Sequence, residues 1–106
     1  MFYIVLCRDN PSKKSLRVEH ESEHHQWLRE QQHPVMVRLS GPLLNQEENS
    51  KDGSLLVLDA DSLDVVEKFA YEDPFQKVGL YEEIVIKPWP WGIGLALEGG
   101  LESDPL

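Results

Sequence analysis

Apolar residues recur along this chain with two different spacings, and the switches between them outline the elements. Phe2 to Cys7 is almost continuously apolar and rich in β-formers, which predicts a central strand covered on at least one face. Asn10-Pro11-Ser12 ends it as a turn. Residues 13 to 19 are polar, with Leu16 and Val18 as candidate anchors. From about His20 to Gln32 the composition favours helix, closed by Pro34. Its apolar positions are Trp27 and Leu28, and His24 lies one turn before Leu28, so His24 faces inward and His25 faces solvent beside Arg29.

Val35 to Leu39 alternates with strand period, and Ser40-Gly41-Pro42 is expected to bend the backbone. Asn45 to Gly53 reads as a polar loop with Asp52-Gly53 as the turn before a strand at Ser54 to Leu58. Asp61 stands at an N-cap position, and Leu63, Val66, Phe69 and Ala70 form the stripe of a second helix. Glu72-Asp73-Pro74 breaks it, and Tyr81 to Lys87 returns to strand period before Pro88. The order β-α-β-β-α-β predicts an α+β, ferredoxin-like sandwich: a four-stranded antiparallel sheet with both helices on one face. The uncovered face of so small a sheet needs a partner, and a second copy packed sheet on sheet would bury it. Trp91 to Leu106 is punctuated by glycine yet carries Ile93, Leu95 and Leu97, and is expected to drape over that interface.

Composition narrows the partners. At 106 residues, with 41% apolar and 27% charged residues, one soluble domain is expected. Nineteen acids against ten bases give a net charge of −9, which argues against nucleic acid and against an anionic membrane surface. No apolar run approaches the roughly 18 residues of a membrane-spanning helix. A single cysteine, Cys7, points to a reducing, cytoplasmic setting, and its place at a strand end suits a small buried hydrophobe.

Several groups are candidates for chemistry. His20-Glu21-Ser22-Glu23-His24 matches H-E-x-x-H, but in a stretch so rich in His and Glu a solvated helix start is the plainer reading, and no metal or cofactor is expected. His24 reads either as a core-edge histidine or as an acid–base group, and Asp73 either as a cap ahead of Pro74 or as a reactive carboxylate. In the inferred fold they come from neighbouring helical elements, where a carboxylate would fix the imidazole tautomer. Tyr3, Trp27 and Tyr81 are aromatic candidates for a pocket wall, set against ordinary core roles.

An ordered set of short motifs resembles the YciI-like (YCII-related) domain family across residues 1 to 89: Met1-Phe2-Tyr3-Ile4-Val5, Leu16-Arg17, His24 followed by Leu28, Ser40-Gly41-Pro42, Gly53-Ser54, Asp73-Pro74-Phe75, Gly79-Leu80-Tyr81 and Lys87-Pro88-Trp89. The resemblance implies a dimeric α+β barrel, related in fold to muconolactone isomerases, with residues 90 to 106 as an extension. It implies His24 and Asp73 as the catalytic pair, and Arg17, Ser40, Gly41, Tyr3 and Tyr81 are expected around the substrate. Family members of known activity act on small ring compounds, among them a dehydrochlorinase of a chlorinated hydroxyhydroquinone. Where the family commonly has Arg-Pro before the histidine, this chain has Glu21-Ser22. Two readings result: an enzyme performing elimination or isomerisation on a small cyclic or aromatic compound, or a dimeric ligand-binding module without turnover.

Overall fold

The computed structural model describes residues 1–94. Its centre is strand β1 (Phe2–Asp9), flanked by β3 (Ser50–Ala60) and β4 (Tyr81–Pro88), with β2 (Val35–Asn45) outside β3. All three pairings are antiparallel and the order is β2-β3-β1-β4. Helix α1 (Ser15–Arg29) connects β1 to β2; α2 (Leu63–Glu72) and the one-turn α3 (Pro74–Lys77) connect β3 to β4. This is the α+β architecture expected from the element order.

Strand periodicity divides the sheet into two faces. Along β1 the odd positions Tyr3, Val5, Cys7 and Asp9 are buried. They line up with Leu58, Leu56 and Ser54 of β3 and with Ile86 and Ile84 of β4. Val66, Phe69 and Ala70 of α2, Phe75 of α3 and Leu28 of α1 close over this face as one core. Phe75, Leu58, Leu80 and Val66 are wholly shielded, and burying each such side chain contributes about 1.5–3 kcal/mol. The other face carries Ile4, Leu6, Val57 and Val85, with Leu39 and Leu43 of β2, and no element of the described chain covers it; Leu39 stays 46% exposed.

Several boundaries differ from the sequence expectation. α1 begins at Ser15, not His20. Its inward stripe is Arg17, His24 and Leu28, so the first turns carry no apolar period to read; Val18 is 82% exposed. Ser40-Gly41-Pro42 does not bend the chain: β2 continues to Asn45, with register shifts after Val37 and after Leu43. Pro42 is tolerated because β2 is an edge strand. Asp52-Gly53 lies within β3 and not in a turn. The hairpin turns at 46–49, where Asn45 Oδ1 accepts from the amides of Glu47 and Glu48 and Asn49 takes φ +50°. Gly53 is required for a different reason, since a Cβ there would lie 2.4 Å from the Cys7 carbonyl oxygen. Asp61 does not cap α2; Ser62 holds that position, and Asp61 pairs instead with exposed His33 at 2.8 Å.

Candidate active site

The site grows from the junction of α2 and α3. Pro74 opens α3, and Asp73 caps it, its Oδ1 accepting from the Phe75 amide at 2.9 Å. The same Oδ1 accepts from His24 Nδ1 at 2.7 Å, and Oδ2 accepts from the Tyr81 hydroxyl at 3.1 Å. The helix cap and the carboxylate that meets His24 are therefore one group. Gly79, at φ +82°, lets the chain close α3 behind Asp73, with Leu80 N bonded to Phe75 O, and swing into β4 so that Tyr81 reaches back.

His24 reaches this carboxylate because Arg17, Glu21, His24 and Leu28 recur at i, i+4, i+7 and i+11 on one face of α1. His24 is buried while His25 is exposed, the orientation that helical spacing predicts. The imidazole stacks on Phe75 with centroids 4.1 Å apart, so its plane is fixed as well as its Nδ1 contact. A carboxylate only accepts, so Nδ1 carries the hydrogen and Nε2 is the nitrogen left for a ligand.

A hydrogen-bonded chain runs on from Asp73 through Tyr81. Tyr81 Oη is 3.1 Å from Ser54 Oγ, which accepts from Arg17 Nη2 at 3.0 Å. Arg17 is gripped by Asp9 through Nε at 2.7 Å and Nη2 at 2.9 Å. Arg17 only donates, the Asp73 carboxylate only accepts and the Tyr81 phenol has one hydrogen, so with that hydrogen on Asp73 the directions run Arg17 to Ser54, Ser54 to Tyr81, Tyr81 to Asp73. Burial opposes the Arg17 charge, but the hydrogen bond and charge of Asp9 outweigh it and hold the guanidinium above its ordinary range. Burial, reinforced by the Asp73 charge, pushes the Tyr81 phenol well up, so it stays a donor. Burial, again with Asp73, raises the Cys7 thiol to about 12, which leaves it no nucleophilic role.

Beside His24 lies a cavity of about 100 Å³ whose walls include Arg17, Glu21, Ser40, Gly41 and Lys51. Tyr3 and Tyr81 do not line it. Tyr3 is buried against the helical layer four residues before Cys7 on β1, about 13 Å along the strand. Tyr81 turns its hydroxyl onto Asp73. Trp27 packs on Phe69, centroids 4.3 Å apart. In the H-E-x-x-H stretch, His20 Nδ1 meets Glu23 at 3.1 Å while His24 turns to Asp73. Among the described residues no three His, Cys, Asp or Glu side chains gather into a cation site.

Asp9 and Lys51 are not among the residues singled out in the sequence, and Ser54 stands there only within the Gly53-Ser54 motif, with no role assigned. Asp9 had a signal: it continues the inward phase of Tyr3, Val5 and Cys7, and an acid in that phase needs a buried cation. Lys51 had none, because its stretch reads as loop.

Comparison with known proteins agrees with this architecture. The model of the YCII-related domain matches residues 1–90. An uncharacterised protein of Haemophilus influenzae is 23% identical, over 84% of this chain and 96% of its own length. A solved structure, 5-chloro-2-hydroxyhydroquinone dehydrochlorinase of Burkholderia phenoliruptrix AC1100 in complex with 2,5-dihydroxybenzoquinone, superposes with a TM-score of 0.76 at 26% identity, covering 87% of this chain and 96% of the other. With its four-stranded antiparallel sheet, its helical layer and a family match across nearly its whole described length, the chain belongs to the YCII-related domain family.

Proposed function

We propose that this protein is an acid–base enzyme acting on a small hydroxylated ring compound, with His24 Nε2 as the group that moves the proton. The 2.7 Å contact of His24 Nδ1 with Asp73, beside a cavity, carries this reading. Asp73 orients the ring and compensates the positive charge it acquires on accepting a proton at Nε2. In an elimination, Nε2 takes a proton from the substrate. The bonding pair left behind forms the new double bond, and the leaving group departs with its own pair. In an isomerisation, Nε2 returns the proton to a second carbon. The dehydrochlorinase in the superposed structure handles a ring of this kind, which supports the substrate class.

Turnover of catechol-, lactone- and quinone-type compounds by the wild type and by His24→Ala tests this. Loss of turnover by a factor of at least about 100 is expected for a general acid–base group; equal turnover removes His24 from the mechanism. The second reading, a ligand-binding module without turnover, draws on the Glu21-Ser22 departure, and predicts ligand binding with no product.

The working unit in this account is a homodimer built on the open sheet face, where Leu39, Leu43 and Leu6 stand exposed. At its margin Trp91 packs edge-on against Phe2, centroids 5.7 Å apart, which supports the extension from residue 90 as a border of that interface; residues 95–106 lie outside the described chain. The net charge of −9 and the lone Cys7 fit a small-molecule enzyme of a reducing compartment, the cytoplasm, that does not act on nucleic acid. No helix among the described residues is long and apolar enough to cross a membrane.

A further inference from the structure

The cavity has a charged rim that the His24–Asp73 pair does not use. Lys51 Nζ, from β3, reaches Glu21 Oε2, from α1, at 2.8 Å, and both side chains line the cavity. The other cationic wall residue, Arg17, is committed: its guanidinium is bonded to Asp9 and Ser54 and is 7% exposed. The Lys51 and Glu21 side chains are 44% and 35% exposed, so their pair is held weakly and swings open at little cost.

Size favours such an opening. A closed cavity of about 150 Å³ accommodates benzene, and this pocket offers about 100 Å³ within its walls. A hydroxylated ring is fully enclosed only if the rim moves. The sheet behind it is a fixed backbone, whereas Glu21 and Lys51 are long, partly solvated side chains. Once they part, Lys51 is the cation left free at the rim, facing the cavity that His24 lines.

We propose that Lys51 anchors an ionised oxygen of the ring ligand and that Glu21 is its resting counterion, so that this pair sets the charge preference of the site. The inference rests on the cavity being a site for small hydroxylated rings. An acidic ligand replaces Glu21 on Lys51 and gains a charge-assisted hydrogen bond; a neutral ligand of the same shape gains nothing from the exchange. Glu21, held below the ordinary carboxylate range chiefly by its hydrogen bond from Lys51, competes for the same ammonium group.

Calorimetric titration with 2,5-dihydroxybenzoquinone and with its neutral dimethyl ether, using the wild type, Glu21→Gln, Lys51→Gln and the double variant, tests the proposal. Glu21→Gln should tighten binding of the dihydroxy compound by roughly two- to fivefold, and Lys51→Gln should weaken it on the order of tenfold. The ether should respond to neither, and the Glu21→Gln gain should vanish in the double variant. Equal shifts for both compounds, no shift, or a gain that survives without Lys51 overturns the proposal. If binding ignores both rim substitutions but is lost in His24→Ala, the proposal alone fails. If folded wild type and variants bind neither compound, the proposal falls together with the ligand-site reading.

Discussion

At the residue scale, the decisive feature is that Asp73 is held by three donors: His24 Nδ1, the Phe75 amide and the Tyr81 hydroxyl. Each donor fixes the carboxylate that in turn fixes the imidazole. Tyr81→Phe should therefore lower kcat by about tenfold or less with KM little changed, because it loosens Asp73 without touching ligand. An effect confined to KM would place Tyr81 in the binding surface instead. Asp9→Asn is a different kind of loss. It leaves Arg17 buried without its counterion and should cost about 3–5 kcal/mol in denaturant unfolding; a cost below about 1 kcal/mol would show that Arg17 finds other partners. Cys7 adds a pH dependence. Its thiol ionises at 9.0 ordinarily and near 12 in the fold, so between those values the unfolded chain has lost a proton that the native protein retains. Stability then falls as pH rises through that window, and Cys7→Ala should flatten the fall measured by urea unfolding. A slope unchanged by the substitution would mean that Cys7 is not its source.

At the element scale, β3 has to approach β1 closely to bring Ser54 beneath Tyr81. Gly53 makes that approach possible, since any Cβ there meets the Cys7 carbonyl. Gly53→Ala should destabilise the fold by about 1–3 kcal/mol, the cost of forcing apart packed backbone, and a neutral result in thermal melts would show that the strands can separate. The element order was legible because β1 is a continuous run of β-formers and the helix and strand periods are clear in α2 and β4. α1 was legible only in its second half, since its buried stripe is Arg17, His24 and Leu28 and not a run of aliphatics. Gly, Pro and charged residues in β2 and β3 read as turn chemistry, although an edge position and a close strand contact explain them. His24 and His25 were told apart by spacing to Leu28 alone. The join of His24 to Asp73 came from topology and family resemblance; Ser54 was visible as part of a motif but its bonds to Tyr81 and Arg17 were not, and no local pattern could have supplied Lys51.

At the scale of the whole molecule, one face of the sheet carries the site and the other is an uncovered apolar surface. Leu39 and Leu43 project from β2 on that face while Ser40 and Gly41 of the same strand line the cavity, so the exposed apolar surface and the cavity share a strand. Leu39→Glu with Leu43→Glu should convert the proposed dimer to monomer in light scattering, leaving the circular dichroism of the fold intact; a wild-type protein already monomeric would refute the assembly. Proton transfer at His24 depends on which of its two nitrogens is free. Heteronuclear NMR of the imidazole reads this directly: Nδ1 should appear protonated and Nε2 unprotonated, with Nε2 alone shifting when 2,5-dihydroxybenzoquinone is added and Asp73→Asn abolishing the tautomer preference. A hydrogen resident on Nε2 in the free protein, or a tautomer indifferent to Asp73→Asn, would contradict the account.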